Sequence, residues 1–250
     1  MDSNRKTAII VGALYLVGGD VAGTLSGVLA APIRNAQDYL LAVFANQNQV
    51  IIAALLVLIE GLTLAMVPVL MFPILRRYSE PLALGYVVFR GGLETFTYIA
   101  TAISWLLLVR LSQAYVQAGA FVASSLPALG SLLRADEIIS VTSIVFPLGA
   151  LIFYYLLYQS RLIPRWISGW GLIAIIPYLA AALLTMFALI SPFSTNDVVL
   201  RLPLAAQEIV LAAWLIIKGF KLSATFSDKL RKDTPSEKYS LPRNMIMKHE

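Results

Sequence analysis

The run VIIAALLVLIEGLTLAMVPVLMFPIL, residues 50–75, contains one charged residue, Glu60, in a stretch that is almost entirely apolar. About 18 such residues are enough for a helix to cross the hydrocarbon core of a bilayer. Backbone exposed to lipid has to satisfy its own hydrogen bonds, and a helix does so. The run therefore predicts a transmembrane helix with an acid near its middle.

The composition of the whole chain also favours a membrane protein. Of its 250 residues, 59% are hydrophobic and 13% are charged, and the mean hydropathy is +0.79. A soluble domain carries roughly 25% charged residues, so this chain lacks the polar surface that water requires. The formal net charge of +5 is scattered over loops and tail, which fits membrane orientation better than nucleic-acid binding. Cysteine is absent, which excludes disulfides and thiolate sites.

Hydropathy along the chain predicts an all-α, polytopic membrane helix bundle with six transmembrane helices. The predicted spans are 7–30, 50–75, 82–109, 137–158, 166–190 and 202–218. Together they form one transmembrane domain over residues 1–221. Residues 222–250 are polar and cannot bury a core, so we predict a disordered cytoplasmic tail.

The distribution of Lys and Arg predicts the orientation, because cytoplasmic segments carry an excess of both. With the N-terminus inside, the inner segments carry Arg5, Lys6, Arg76, Arg77, Arg161, Arg165, Lys218 and Lys221. The outer segments carry Arg34, Arg110, Arg134 and Arg201. This asymmetry favours an N-terminus and a C-terminus that both lie in the cytoplasm.

The first span has an alternative interpretation as a signal peptide, since a basic start precedes an apolar run and LAAP at 29–32. Asp20 interrupts that apolar run, which argues for a retained helix. Three glycines four residues apart also suit close helix packing: Gly19, Gly23 and Gly27.

Two connecting segments have helical character. Residues 33–47 place an apolar face on one side of a helix, which predicts a helix lying in the membrane interface. That face comprises Tyr39, Leu40, Val43 and Phe44. For residues 110–135, a surface helix and an ordinary connector both remain open.

A faint internal repeat links residues 72–89 with residues 154–173, since each has an apolar helix end, a basic turn with proline and a Gly-aromatic helix start. Glu60 and Glu208 also hold comparable places in their spans. Three in–out–in hairpins related about the membrane normal would produce this pattern. Chance similarity between apolar helices is the rival explanation.

Five ionisable residues lie near one level of the membrane. They are Asp20, Glu60, Arg90, Glu94 and Glu208, and Gln207 adds an amide beside Glu208. Each of the five lies about 14–20 Å from one end of its span at a helical rise of ~1.5 Å per residue. A charge at a helix centre costs ~2.5–3.5 kcal/mol, so five isolated charges would cost more than ~12 kcal/mol. We therefore expect these residues to share one site.

The signs of these charges predict what the site holds. One arginine faces four carboxylates, and full ionisation would leave a large negative charge in a medium of low dielectric constant. Either some of the acids hold protons or a cation completes the site. The alternative is a purely structural network in which the charges join helices together.

Most catalytic chemistry is excluded within the membrane. The single histidine is His249 in the tail, which excludes Ser–His pairs, histidine zinc sites and histidine-ligated haem from the spans. No catalytic residue and no cofactor is predicted. Acid–base catalysis by the carboxylates remains open, but the sequence favours a protein that is not an enzyme.

Five segments resemble a known family: NRKTAIIVGALYLVG (4–18), NQVIIAALLVLIE (48–60), LALGYVVFRGGLE (82–94), LIFYYLLYQSRLIPRWISGWGLI (151–173) and LPLAAQEIVLAAWLIIKGF (202–220). The family is a bacterial membrane family catalogued as domain of unknown function 4386. The resemblance implies a multi-pass protein of the bacterial cytoplasmic membrane and supplies no catalytic residues. It also implies that Glu60, Arg90, Glu94 and Glu208 match positions of the family pattern, whereas Asp20 departs from it.

Two functions fit these observations. The first is a transporter or channel-like protein that uses the cluster for protons or a small cation. The second is a membrane scaffold or regulatory subunit in which the cluster only specifies helix packing. A polar path to Glu60 would favour the first, and a dry, fully paired cluster would favour the second.

Overall fold

The computed structural model describes residues 3–34, 36–117 and 125–221, and the predicted tail, 222–250, lies outside them. These ranges contain helices and no strand. The helices are α1 (Ser3–Leu29), α2 (Ala31–Arg34), α3 (Tyr39–Ala45), α4 (Gln47–Leu75), α5 (Glu80–Gln117), α6 (Leu126–Ser131), α7 (Asp136–Ser160), α8 (Arg165–Met186) and α9 (Thr195–Ile217). Six spans are long and apolar enough to cross a membrane, namely α1, α4, α5, α6 together with α7, α8 and α9. The prediction of a polytopic bundle with six spans is confirmed.

Helix α4 shows why these helices belong in lipid. Its inner face is buried, for example at Ala53, Val57 and Leu64. Its outer face is apolar as well, with residues that are 46–52% exposed: Ile52, Leu55, Ile59, Leu62, Met66 and Val69. An apolar stripe of this length facing water would be unfavourable, whereas lipid accommodates it.

The six spans form a closed ring in chain order. Each span packs chiefly against its neighbours in the sequence, and α9 packs back against α1. Neighbouring spans are antiparallel: along α1, Gly18 approaches Thr63 and Gly23 approaches Glu60. The ring therefore consists of three consecutive hairpins, and their relation about a common axis stays a prediction.

Arg5 of α1 fastens the ring where its first and last spans meet. Its guanidinium donates to the carbonyl oxygens of Leu215 at 3.1 Å, Ile216 at 2.7 Å and Ile217 at 3.0 Å. The last carbonyls of a helix have no partner within the helix, so Arg5 supplies one for the end of α9. Helix α1 is thus an integral member of the ring.

Two spans contain π-helical segments, Tyr15–Gly23 in α1 and Val87–Glu94 in α5. The first segment carries Asp20, and the second carries Arg90 and Glu94. The wider i→i+5 hydrogen-bond spacing of a π-helix changes which residues share a face, and such segments often lie at functional sites. This spacing also changes the predicted ladder of Gly19, Gly23 and Gly27. Gly18 and Gly23 approach α4 closely, whereas a Cβ atom added at Gly27 would meet nothing within 4 Å.

Several expectations differ from the structure. The third span continues to Gln117 rather than ending at 109, so Arg110 lies inside a helix. The sixth span begins at Thr195 rather than 202, so Arg201 lies inside a helix and not in a loop. The predicted interfacial helix is divided into α2 and α3. Its apolar residues Leu40 and Val43 are fully buried against the protein instead of facing lipid, because α3 packs on α5.

Candidate functional site

Arg90 and Glu94 form the centre of the predicted site, and both side chains are buried. Arg90 Nη1 donates to both carboxylate oxygens of Glu94, at 2.8 and 3.0 Å. One helical turn separates the two residues, so α5 alone positions the pair. The guanidinium also lies over the rings of Phe146, at 4.9 Å, and Tyr15, at 5.6 Å. Aromatic faces stabilise a desolvated cation, which helps to retain Arg90 in its charged form.

Glu208 of α9 is the second acid near Arg90. Its Oε1 lies 3.9 Å from Arg90 Nη2, and its side chain is 20% exposed. Asp20 of α1 interacts electrostatically with Glu208. The Oδ2 atom of Asp20 is buried and has no hydrogen-bond partner among the described residues. The structure therefore brings Glu208 to the guanidinium as an ion pair, whereas Asp20 is connected to the cluster through its electrostatic interaction with Glu208.

Glu60 of α4 reaches the site through Tyr98 of α5. The Tyr98 hydroxyl donates to Glu94 Oε1 at 3.1 Å and interacts with the Glu60 carboxylate. A Cβ atom at Gly23 would lie 2.7 Å from Glu60 Oε1, so the absence of a side chain on α1 makes room for this carboxylate. Among the described residues Glu60 has no ion-pair partner, and its side chain is partly exposed.

Gln207 has a different role from the one its position beside Glu208 suggests. Its Nε2 donates to the carbonyl oxygen of Ile167 at 3.1 Å, which joins α9 to α8. Its Oε1 is buried, with no hydrogen-bond partner in the described ranges. Gln207 therefore holds the helix that carries Glu208, and the structure shows no bond between its amide and the acids.

The sequence interpretation missed the aromatic residues that surround Arg90. Tyr86 stacks on Phe153 with ring centroids 4.6 Å apart, and the hydroxyls of Tyr15 and Tyr86 lie 3.3 Å apart. Tyr98 carries a sequence signal, since it follows Glu94 by four residues on the same face. The other rings lack one, because nothing in an apolar pattern separates a residue lining a site from a residue facing lipid.

A second charged group lies towards the start of α9. Arg201 Nε donates to Asp197 Oδ1 at 2.7 Å, and Arg201 Nη1 donates to Ser143 Oγ of α7 at 3.1 Å. The guanidinium lies 4.8 Å from the Tyr178 ring centre. Tyr178 in turn meets Phe146 edge to face at 5.1 Å, and Phe146 is one of the rings under Arg90. The rings of Tyr178 and Phe146 thus lie in succession between the guanidinium of Arg201 and that of Arg90.

The acids are spread out rather than gathered around one point. In the described part of the chain, no group of three or more His, Cys, Asp or Glu side chains is placed to hold a metal ion. The arrangement instead gives a series of carboxylates separated by hydroxyl and guanidinium groups. The carboxylates and hydroxyls of such a series can accept, hold and pass on protons, while the guanidinium keeps its own protons and stabilises the carboxylates beside it.

Comparison with known proteins identifies the family. A family model described as Domain of unknown function (DUF4386) matches residues 10–219. No curated protein and no solved structure gave a significant match. The matched region contains all six members of the predicted site and reaches from α1 to just beyond the end of α9. The chain therefore belongs to the DUF4386 family.

Proposed function

We propose that the protein is a membrane transporter or channel-like protein that moves protons, or a small cation, through the carboxylate and arginine cluster of its ring. The observation that carries the proposal is the burial pattern of the acids. Arg90 and Glu94 form a buried pair, whereas Glu60 and Glu208, which interact with that pair from α4 and α9, are partly exposed. A buried pair flanked by partly exposed acids from two other helices is an arrangement that supports stepwise transfer.

Protons suit this donor set better than a multivalent metal ion. A Ca²⁺ or Mg²⁺ ion needs six or more oxygen ligands at once, at about 2.0–2.6 Å. The dispersed acids offer single carboxylates instead, and a proton needs only one at a time. Ionisable residues inside spans frequently form proton relays in pumps and transporters.

The proposed setting is the cytoplasmic membrane of a bacterium, with both termini in the cytoplasm. The excess of Lys and Arg at the end of the ring that holds the termini supports this orientation. Under this proposal the bilayer is the partner of the outer apolar faces, and the cluster lies between the two aqueous phases.

Proton flux into proteoliposomes tests the proposal. Purified protein is reconstituted with a pH-sensitive dye inside, and an imposed pH gradient is discharged with the membrane potential clamped. Wild-type vesicles should acidify faster than empty ones, and Glu60→Gln and Glu208→Gln should each slow the flux by at least about 10-fold. Glu137→Gln, at the exposed start of α7, is the matched control and should leave it unchanged.

Wild-type flux equal to that of empty vesicles, for protons and for Na⁺, K⁺ and ammonium, would remove the transport proposal. The second candidate, a scaffold, is favoured by the close pairing of Arg90 with Glu94 and by the stacking of Tyr86 on Phe153. A scaffold predicts that Glu60→Gln and Glu208→Gln alter thermal stability while no ion crosses the wild-type protein.

A further inference from the structure

We propose that the hydroxyl of Tyr98 carries protons between Glu60 and Glu94. The inference rests on the proposed function, and it names the residue through which two of the acids communicate. No direct hydrogen bond joins the two carboxylates in the described residues. Arg90 and Tyr98 each interact with both, and of these two side chains the tyrosine is the one whose hydroxyl can donate as well as accept a hydrogen bond.

The hydrogen bonds of the Tyr98 hydroxyl set the direction of proton transfer, from Glu60 to Glu94. The Tyr98 hydroxyl donates its one hydrogen to Glu94 Oε1 at 3.1 Å. Its oxygen still has lone pairs free to accept. Glu60 interacts with the same hydroxyl, so a protonated Glu60 can donate to its oxygen.

Two glycines make this contact possible. A Cβ atom at Gly61 would lie 2.7 Å from Tyr98 Cβ, so only glycine lets the tyrosine lie this close to α4. On the other side, Gly23 of α1 leaves room for the Glu60 carboxylate. The positions of Glu60 beside α1 and of Tyr98 beside α4 thus depend on these two glycines.

The proposed transfer conserves charge and leaves the tyrosine unchanged. The O–H bond of Glu60 breaks, and its proton bonds to the Tyr98 oxygen. The original Tyr98 proton moves to Glu94 Oε1, so that Glu60 becomes the carboxylate and Glu94 the acid. Arg90 Nη1 lies 2.8 Å from Glu94 Oε1 and stabilises Glu94 as a carboxylate until the proton arrives. The starting arrangement is restored when Glu94 releases its proton, the Tyr98 hydroxyl rotates back towards Glu94 and Glu60 takes up a new proton.

Removing one oxygen atom tests the relay. Tyr98→Phe keeps the ring that packs on Gly61 and deletes the hydroxyl. It should lower proton flux in the same vesicles by roughly 100-fold, the lower limit for a positioned proton-transfer group. Tyr155→Phe is the matched control, because Tyr155 is 48% exposed on the outer face of α7, and its flux should equal that of the wild type.

A second variant separates transfer from packing. With 3-fluorotyrosine at position 98, the shape is nearly unchanged and the hydroxyl becomes a stronger proton donor. The charged and titratable groups that face Tyr98 are Glu60 from α4, Arg90 and Glu94 from α5 and Tyr178 from α8. Since none of them is altered, a relay predicts that the pH profile of flux shifts, whereas a purely structural tyrosine leaves it in place.

The outcomes distinguish the two proposals. Proton flux in wild type that persists unchanged in Tyr98→Phe overturns the relay and leaves proton transport standing. If Tyr98→Phe does not fold, an unshifted pH profile for the fluorotyrosine variant overturns the relay in the same way. Absence of proton flux in wild type overturns the relay, and absence of Na⁺, K⁺ and ammonium flux as well overturns the transport proposal. Loss of flux in Tyr98→Phe together with a shifted profile supports the relay.

Discussion

A buried arginine is expensive, and the surroundings of Arg90 show how the chain stabilises it. Removing a charge from water costs several kcal/mol even after relaxation of the protein. Arg90 regains this through two hydrogen bonds to Glu94, the nearby carboxylate of Glu208 and the faces of Phe146 and Tyr15. These partners come from α1, α5, α7 and α9. One side chain therefore joins four of the six spans.

Replacing Arg90 with Leu should destabilise the protein by about 3–5 kcal/mol, the typical cost of breaking a buried ion pair from one side. The carboxylates of Glu94 and Glu208 would lose their counter-charge. Protonation removes that uncompensated charge, so the deficit should shrink as the pH falls from 8 to 5. Thermal unfolding in detergent across this range measures both effects.

Two further variants control this experiment. Arg110→Leu removes an exposed arginine from the same helix and should change stability little. Adding Glu94→Gln to Arg90→Leu should recover part of the loss at neutral pH, since a neutral amide needs no cation. Wild-type stability of Arg90→Leu at pH 7 would contradict the role of Arg90 as the shared partner.

At the scale of helices, the π-helical segments determine which residues meet. The segments Tyr15–Gly23 and Val87–Glu94 hold the charged residues that α1 and α5 contribute to the candidate site. Both contain adjacent glycines, Gly18 with Gly19 and Gly91 with Gly92, which allow a helix to widen without steric conflict. The contacts of α1 with α4 then follow from Gly18 and Gly23 rather than from a regular four-residue ladder.

The contrasting surroundings of two glycines give a prediction about helix packing. Gly61→Ala should destabilise the protein by about 1–3 kcal/mol, as overpacking does, because its Cβ would lie 2.7 Å from Tyr98 Cβ. Gly27→Ala meets nothing within 4 Å and should be neutral or stabilise the helix by up to about 1 kcal/mol. Thermal unfolding of both variants side by side checks the difference in sign. Equal effects would show that α4 and α5 do not approach as closely as the structure indicates.

Several elements were predictable from hydropathy, and the exceptions have physical reasons. The spans follow from long apolar runs, as in α4. The start of α9 was misplaced because Asp197 and Arg201 look like loop charges, although they neutralise each other across one helical turn. The π-helical segments were not predicted, since hydropathy carries no information on hydrogen-bond spacing.

The candidate site was predictable in part for similar reasons. A charge in lipid is costly wherever it occurs, so Asp20, Glu60, Arg90, Glu94 and Glu208 stood out from their apolar surroundings. The structure adds which of them touch, and it gives Gln207 a packing bond to Ile167 instead. The sequence did not predict that Tyr15, Tyr86 and Phe146 belong to the site. An aromatic residue in an apolar run has the same hydropathy pattern whether it faces lipid or a guanidinium.

At the scale of the whole molecule, the ring constrains the topology. Arg5 bonds the last carbonyls of α9, so both ends of the ring's chain lie on one side. Because neighbouring spans are antiparallel, the connection between α4 and α5 and the one between α7 and α8 lie on that same side. Residues 125–135, which precede α7, lie on the other. The orientation of the ring in the membrane therefore determines together on which side all of these connections lie.

Single cysteines can report that choice, since the native chain contains none and the background is clean. With the termini in the cytoplasm, Ser79→Cys and Ser160→Cys should resist a membrane-impermeant thiol reagent in intact cells, and Ser125→Cys should react. All three should react once the membrane is permeabilised, which controls for accessibility. Labelling of Ser79→Cys and Ser160→Cys from outside, with Ser125→Cys protected, would reverse the proposed orientation and preserve the ring. Opposite behaviour of Ser79→Cys and Ser160→Cys would contradict the ring itself, because antiparallel neighbours closed by Arg5 cannot place those two loops on different sides.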